Sequence, residues 1–273
     1  MNIAIVTGAS SGMGAEFARQ LHYYYDNYDE IWLIARRKER LEALAHTLDD
    51  KTRIITADLT RSSDLKYIAR QLSLINPNVT QLINCAGFGI MGSFETLPLK
   101  EQSDMIDLNV KALVKLTHMV LPYMRKNANI IQLASVAAFL PQENFCVYAA
   151  SKSFVLSFSR ALNEELKKRK ICVTAVCPGP VETEFFNIAE KYNETLAIKK
   201  LFYVKPELVV KGALEASVKR KAYFTPTLPM KAIQIMSKII PHSFILNGQK
   251  ILNAVTSINK EVIMSKLLSR RQS

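Results

Sequence analysis

The chain has 273 residues, of which 49% are hydrophobic, and it carries a formal net charge of +12. This length and apolar content suffice for a large α/β domain, and no linker or repeat divides the chain, so we expect a single domain over residues 1–273. The sequence has no run of about 18 uncharged apolar residues and no signal peptide's basic start, so we do not expect a spanning helix. Three of the four cysteines lie in or beside apolar runs, which fits a reducing cytoplasm as the expected location.

Short apolar strands alternate with helical patterns along the chain. The predicted strands are 2–7, 30–35, 52–57, 80–87, 129–135 and 171–177. The predicted helices begin at Ala15 and then cover 38–48, 62–75, 100–126 (with a break near Asn109) and 147–168. Continuous apolar strands separated by helices predict a doubly wound, Rossmann-like parallel sheet with helices on both faces. In such a sheet, ligands bind at the carboxyl ends of the strands.

The joint between the first strand and the first helix is rich in glycine. It reads TGASSGMG, with Gly8, Gly12 and Gly14 where the apolar run gives way to a helical pattern. Glycines allow a tight turn and close approach of the backbone to a ligand, and the helix N-terminus that follows suits a phosphate. The alternative is an ordinary strand-to-helix turn that holds glycines for steric reasons alone.

Unusual residues recur at the predicted strand ends. Besides the first turn, they are Arg36–Arg37, Asp58, Asn84–Gly87, Ser135 and Pro178–Thr183. Because the carboxyl ends of parallel strands meet at one edge of a sheet, this coincidence favours a nucleotide site over isolated turns. The four cysteines form no C-x-x-C pair and the four histidines are scattered, so no metal site is predicted.

The segment YAASK places Tyr148 and Lys152 one turn apart on a predicted helix. A neighbouring ammonium favours the phenolate, so a tyrosine in this setting can exchange a proton with a carbonyl or alcohol oxygen. Ser135 ends the preceding strand and could bond the same oxygen. Asn109 lies within a helical stretch, where an amide can bend the helix and hold a water. The alternative for the pair itself is a solvated tyrosine and lysine on a helix surface.

Taken in order, these motifs resemble the short-chain dehydrogenase/reductase family over residues 1–185. The resemblance rests on TGASSGMG (7–14), Asp58 in ADL, N-x-A-G at 84–87, Asn109, Ser135, Y-x-x-x-K at 148–152 and P-G-P-V-x-T at 178–183. One departure is Cys85, where the family usually has a second asparagine in a mainly structural role.

The resemblance implies a role for each matched residue. Tyr148 would be the acid/base, Lys152 would lower its pKa and hold the nicotinamide ribose, Ser135 would orient the substrate carbonyl, and Asn109 would anchor a water. Thr183 would meet the nicotinamide carboxamide, Asp58 the adenine and Asn84 the side of the adenine ribose. The implied cofactor residues are Gly8, Ser10, Ser11, Gly12, Met13, Gly14, Arg36, Arg37, Asp58, Leu59, Asn84, Ala86, Gly87, Tyr148, Lys152, Pro178, Gly179, Val181 and Thr183.

The end of the second strand indicates which nicotinamide cofactor is used. Sites that choose NAD usually carry an acidic residue there, whereas this chain has Arg36 and Arg37. Arginine forks bind a 2′-phosphate, so we expect NADP(H) and reduction as the physiological direction. The alternative is a pair of solvated arginines at a helix start.

The last third of the chain bears on substrate and partners. The family resemblance implies a lid at about 181–204, whose aromatic residues favour an apolar ketone of lipid, steroid or 3-oxoacyl type.

Residues 199–273 hold 14 basic and 3 acidic side chains, a balance of +11. The basic, apolar extension at about 226–273 is expected to cap the substrate region or a subunit contact of a homo-oligomer. A membrane surface is the less favoured partner, and no nucleic-acid motif accompanies the charge. Two alternative functions stay open: a non-catalytic NADPH-binding sensor, and a basic membrane-associated protein on the same fold.

Overall fold

The computed structural model describes residues 1–25, 28–48, 51–192, 203–241 and 244. Within them, seven strands form one sheet in the order β3-β2-β1-β4-β5-β6-β7, and every neighbouring pair is parallel. The strands are β1 (Asn2–Thr7), β2 (Glu30–Ala35), β3 (Thr52–Thr56), β4 (Asn78–Asn84), β5 (Asn129–Leu133), β6 (Cys172–Val176) and β7 (Tyr223–Phe224). The predicted doubly wound parallel sheet is confirmed.

Helices cover both faces of this sheet. They are α1 (Gly12–Tyr24), α2 (Lys38–Ala45), α3 (Ser62–Ile75), α4 (Leu99–Ile106), α5 (Leu113–Val120), α6 (Cys146–Leu166), α7 (Phe185–Ala189), α8 (Pro206–Val218) and α9 (Leu228–Ile239). Alternate residues of β1 enter two separate apolar clusters, Ile3 and Ile5 in one and Ala4 and Val6 in the other. Because side chains alternate along a strand, these clusters are the two layers between sheet and helices.

The helical stretch expected over 100–126 is divided into shorter pieces. A π-helical turn (Asp107–Ala112) separates α4 from α5, and a 3-10 turn (Leu121–Tyr123) follows α5. The predicted break at Asn109 therefore takes the form of one widened turn. Such turns are rare inside helices and occur frequently at functional sites.

The chain beyond β6 returns to the carboxyl edge of the sheet. Val181 and Val204 form an isolated parallel bridge, which joins the two ends of the expected lid. Residues 193–202 of that lid lie outside the described residues, as do 242–243 and 245–273 of the expected extension. The described part of the extension is mainly α9, whose Met230 is buried.

Candidate active site

Thr7 joins the two strand ends where the order of the sheet reverses. Its hydroxyl donates to the Ile83 carbonyl (3.3 Å) and accepts from the backbone N–H groups of Cys85 (3.0 Å) and Ala86 (3.1 Å). β1 and β4 are neighbours in the sheet. The chain continues from β1 to β2 on one side of this pair and from β4 to β5 on the other side. The crevice between such strands is where doubly wound proteins bind ligands.

The glycine-rich turn depends on the absence of side chains. Gly8 and Gly12 have φ values of +68° and +52°, which other residues rarely adopt. A Cβ on Gly14 would lie 2.2 Å from the Gly8 carbonyl oxygen, and one on Gly12 would contact the Thr183 side chain at 3.2 Å. The turn therefore folds tightly on itself and lies directly against the segment that follows β6.

Tyr148 is buried on α6 among aromatic side chains. Its ring stacks on Phe145 with centroids 4.2 Å apart and lies 5.5 Å from the ring of Phe185. A Cβ on Gly89 would come within 2.6 Å of the tyrosine ring, so that glycine makes room for it. Burial raises the pKa of Tyr148 to about 12, while a hydrogen bond with the Ser135 side chain acts to lower it.

Lys152 is buried one turn further along α6. Its ammonium donates a 2.7 Å hydrogen bond to the Leu133 carbonyl and lies 5.6 Å from the centroid of the Tyr148 ring. Burial lowers the pKa of Lys152 to about 8, and the neighbouring Cys85 and Cys177 act weakly against that shift. Burial is the largest influence on the pKa of Tyr148, and the lowering of that pKa by Lys152 stays a prediction.

Asn109 fastens the loop after β4 to α6. Its Oδ1 accepts from the Phe88 N–H (3.0 Å), and its Nδ2 donates to the Phe88 carbonyl (2.8 Å) and to Ser151 Oγ (3.1 Å). These contacts place the amide in the widened turn behind Tyr148 and Lys152. A Cβ on Gly87 would lie 2.9 Å from Asn109 Oδ1 and 3.4 Å from Lys152 Nζ, so all three residues meet there.

Ser135 lies at the end of β5. Its side chain accepts a 3.1 Å hydrogen bond from the Ala137 N–H and thereby begins the short 3-10 helix Val136–Phe139. Among the four predicted catalytic residues, Tyr148 lies close to Ser135 and Lys152, while Asn109 and Lys152 both lie beside Gly87. This arrangement can donate a proton and a hydrogen bond to one ligand oxygen.

Arg37 reaches back over the glycine-rich turn. Its Nε and Nη2 each donate to Ser10 Oγ at 3.2 Å, and Nη2 also donates to Ser11 Oγ at 2.7 Å. Arg36 is exposed, and its positive charge acts on the carboxylate of Asp58. Burial acts to raise the pKa of Asp58, but hydrogen bonds from Thr60 and the charges of Arg36 and Arg61 bring it below its usual value.

Two predicted cofactor residues, Leu59 and Asn84, have buried side chains, and Asn84 is only 3% exposed. Leu59 belongs to one of the two apolar clusters, and Met13 is partly buried against the other. Asn84 donates to Thr117 Oγ1 and Gln132 Oε1, both at 3.0 Å. The Asn84 amide is therefore part of a buried polar network that secures β4 to its neighbours, and a position of this residue beside the adenine ribose stays a prediction.

The loop after β6 closes the edge of the site. Pro178 accepts a 2.9 Å hydrogen bond from the Val136 N–H, and Thr183 lies against Gly12. The Gly179 N–H donates to the Met230 sulfur at 3.1 Å, which attaches α9 to this loop. The sequence pattern missed Met230, whose position no local signal reveals. It also missed Glu184, whose place directly after the matched P-G-P-V-x-T motif could have drawn attention.

A nicotinamide dinucleotide fits the residues that are present. The glycine-rich turn provides backbone without side chains, Arg37 provides guanidinium donors beside it, and the buried Tyr148–Lys152 pair lies on the same sheet edge. No group of three or more potential metal ligands is found in the part of the chain that the structure describes. None of the helices described there is long and apolar enough to span a bilayer.

The chain matches the model of a known protein family over most of its length. The model described as short chain dehydrogenase matches residues 2–193, which include every predicted catalytic and cofactor residue. Among curated relatives, the sulfoacetaldehyde reductase 2 of Chromohalobacter salexigens is 36% identical over 190 residues, covering 67% of this chain and 74% of that protein.

Solved structures of similar fold contain both nicotinamide cofactors. A short-chain dehydrogenase from Sphingobium yanoikuyae in complex with NADPH has a TM-score of 0.73 at 31% identity, covering 84% of this chain and 89% of that one. A 3-ketoacyl-(acyl-carrier-protein) reductase from Brucella melitensis complexed with NADH has a TM-score of 0.70 at 23% identity, covering 83% and 96%.

Proposed function

The chain belongs to the short-chain dehydrogenase family of oxidoreductases, and from this premise we propose that it reduces an apolar carbonyl compound with NADPH. The observation that carries the proposal is the buried Tyr148 on α6, whose ring centroid lies 5.6 Å from Lys152 Nζ and whose pKa is influenced by the Ser135 side chain. A phenol with a pKa of about 12 keeps its proton at neutral pH. It is therefore ready to act as the acid in carbonyl reduction.

The protein's part in the reaction is to position the carbonyl and supply a proton. Ser135 donates a hydrogen bond to the carbonyl oxygen, and Tyr148 transfers its hydroxyl proton to the same oxygen. The phenolate left behind is stabilised by the Lys152 ammonium, which the Leu133 carbonyl holds near the ring. Asn109 keeps the Phe88 loop in place behind this pair. When bound, NADPH supplies the hydride.

The preference for NADPH rests on Arg37 and Arg36. An arginine fork binds a 2′-phosphate through two parallel N–H donors, whereas a site for NADH carries an acidic residue at this point. Arg37 already lies over Ser10 and Ser11 in the glycine-rich turn. The similar dehydrogenase from Sphingobium yanoikuyae, solved in complex with NADPH, adds support.

The preference for an apolar substrate rests on the aromatic side chains around Tyr148. Phe145 and Phe185 contact its ring, and Phe186 and Tyr203 continue the aromatic surface, with ring centroids 5.0 Å apart. A lipid, steroid or 3-oxoacyl compound would gain most of its binding energy by burying its apolar surface against these aromatic side chains. A non-catalytic sensor would have no need of the Tyr148–Ser135–Lys152 set.

We infer further that the chain acts as one domain in the cytoplasm, as a homo-oligomer without a nucleic-acid partner. Buried thiols at Cys172 and Cys177 suit a reducing compartment.

Apolar surface is exposed on α9 at Leu228, Ile235 and Ile239, which supports a contact between subunits. Arg36, Arg37, Asp58, Thr183 and the glycine-rich turn are the proposed cofactor site.

The test is turnover of apolar ketones by the purified protein, followed by loss of the nicotinamide absorbance. We expect a higher kcat/KM with NADPH than with NADH, and no turnover by the Tyr148→Phe variant. That variant lacks the proton donor but keeps the cofactor site, so its Kd for NADPH should stay within about twofold. Full activity of the variant would refute the assigned chemistry, and equal use of both cofactors would refute the NADPH preference.

A further inference from the structure

A carboxylate lies between two arginines near the end of β2. Glu184 Oε2 accepts a 3.0 Å hydrogen bond from Arg37 Nη1, and Glu184 Oε1 accepts one from Arg40 Nη1. Glu184 directly follows Thr183 and so comes from the segment after β6, whereas Arg37 immediately precedes α2 and Arg40 lies in its first turn. The ion pair therefore connects the entrance of the lid with the proposed 2′-phosphate site.

The Arg37 guanidinium is held in a fixed orientation by this arrangement. Its Nε and Nη2 donate to Ser10 and Ser11 in the glycine-rich turn, and its Nη1 donates to Glu184. Hydrogen bonds from Arg40 and Arg37 also keep the pKa of Glu184 below its usual value, so the carboxylate is charged at neutral pH. The Glu184 carboxylate thus already accepts hydrogen bonds from the arginine N–H groups that the 2′-phosphate of the proposed cofactor requires.

We propose that Glu184 competes with the 2′-phosphate of NADPH for the guanidinium groups of Arg37 and Arg40, and so sets the affinity for NADPH relative to NADH. The proposal rests on the NADPH-dependent function proposed above and adds a residue that limits its cofactor preference. Glu184 is a specificity-determining residue in this sense. It takes no part in the transfer of hydride or proton.

The competition follows from the chemistry of the two anions. A phosphate monoester and a carboxylate accept the same N–H donors of an arginine fork. A phosphate beside Glu184 would also be repelled at short range, because both groups carry negative charge. NADH has a neutral hydroxyl at this position, so its binding leaves the ion pairs of Glu184 intact. The carboxylate therefore weakens binding of NADPH and leaves binding of NADH nearly unchanged.

The exposure of the pair makes the exchange feasible and limits its size. The side chains of Arg37 and Glu184 are 43% and 42% exposed, so a ligand can separate them without opening the core. Ion pairs in solvent are weak individually, and two of them share this carboxylate. We expect removal of the charge to strengthen NADPH binding about three- to tenfold.

The test is direct binding to the Glu184→Gln variant, which keeps the size and polarity of the side chain but removes its charge. The probes are NADPH, NADH, adenosine 2′,5′-bisphosphate and adenosine 5′-monophosphate, and the readouts are nicotinamide fluorescence and calorimetry. We expect Kd to fall about three- to tenfold for NADPH and for the bisphosphate, and to stay within twofold for the other two. Glu182→Gln removes the same charge from an exposed position two residues earlier and serves as the matched control.

Each outcome separates this inference from the function on which it rests. An equal gain for all four probes, or the same gain in the Glu182→Gln control, would reveal a general charge effect and overturn the competition. Unchanged or weaker NADPH binding would overturn it as well. If the wild type binds NADPH no better than NADH, the proposed cofactor preference is wrong. A selective gain in bisphosphate binding by Glu184→Gln would even then uphold the competition.

Discussion

Lys152 has its ammonium group buried beside two thiols and a tyrosine. Burial brings its pKa down to about 8, whereas burial raises the pKa values of Cys85, Cys177 and Tyr148 to about 12. Between about pH 8 and 10.5, the folded chain thus releases the Lys152 proton while the unfolded chain keeps it. Fewer bound protons in the folded state mean that this lysine's contribution to the free energy of unfolding rises with pH across that interval.

We therefore expect the wild type to gain stability relative to Lys152→Met as the pH rises from 7 to 9.5. The gain should be about 2 kcal/mol, because one pKa unit corresponds to about 1.4 kcal/mol. Urea unfolding of both proteins at the two pH values measures it. The Lys115→Met variant, altered at an exposed lysine, is the control and should follow the wild type. A stability difference between wild type and Lys152→Met that is independent of pH would show that Lys152 keeps an ordinary pKa.

The spacing of Tyr148 and Lys152 was enough to predict that they lie together, because a helix brings residues four apart onto one face. Their pKa values could not be predicted, since both depend on how deeply α6 is buried by segments distant in the sequence. Asn84 illustrates the same limit. Its place at a strand end could be predicted, but its inward orientation depends on Thr117 and Gln132.

At the scale of elements, α9 supports the loop after β6. Met230 is 4% exposed, and its sulfur accepts the Gly179 N–H, while a Cβ on Gly179 would lie only 2.0 Å from Met230 Cε. Glycine at residue 179 thus leaves room for the Met230 side chain, which would have to shift if a Cβ were added. Gln234, one turn later on α9, is also buried and accepts from Thr225 Oγ1 at 3.1 Å.

We expect Met230→Ala to lower the free energy of unfolding by about 2–3 kcal/mol, because it leaves a cavity beside the loop. The KM for NADPH should rise in the same variant, since Gly179 belongs to the proposed cofactor site. Met236→Ala, at a position 48% exposed on the same helix, should change stability by less than about 0.5 kcal/mol. Chemical denaturation and steady-state kinetics of the two variants measure these effects. Equal behaviour of the two variants would contradict the supporting role of α9.

The sequence pattern predicted the elements before residue 180 much better than those after it. β1, β2 and α3 have the predicted bounds, because each is a single run with one periodicity. β7 has only two residues, too few for a period to show. α8 has Pro206 in its first turn and buried residues at helical spacing, so its signal is present in the sequence although no prediction used it.

For the molecule as a whole, the basic charge is concentrated after residue 198. On α9 it accompanies an exposed apolar side that includes Leu228, Ile235 and Ile239, while Met230 and Gln234 face the protein. The lysines are dispersed along the sequence rather than forming a block. A lid or subunit contact therefore remains our interpretation of this region, in preference to a membrane anchor.

We expect the purified protein to co-sediment with anionic vesicles no more than with neutral vesicles at physiological salt. Electrostatic attraction to anionic lipid amounts to about 1 kcal/mol per basic residue near the surface and is screened within about 10 Å at 0.1 M salt. The same assay on a chain truncated after Thr227 is the control. Pelleting that is specific to anionic vesicles, weakened by salt and lost on truncation, would favour the membrane alternative.

The position of β1 has a consequence for how the chain folds. β1 is the first strand in the sequence but lies inside the sheet, between β2 and β4, and Asn2 pairs with Asn78, 76 residues later. During synthesis, the backbone hydrogen-bonding groups on one edge of β1 therefore have no partner strand until β4 has been made. Contacts of such long sequence separation require a large loop to close before they contribute stability, which slows folding. The crevice at the carboxyl ends of β1 and β4 cannot form before this pairing, so the glycine-rich turn acquires its binding surface only after the two halves of the sheet have joined.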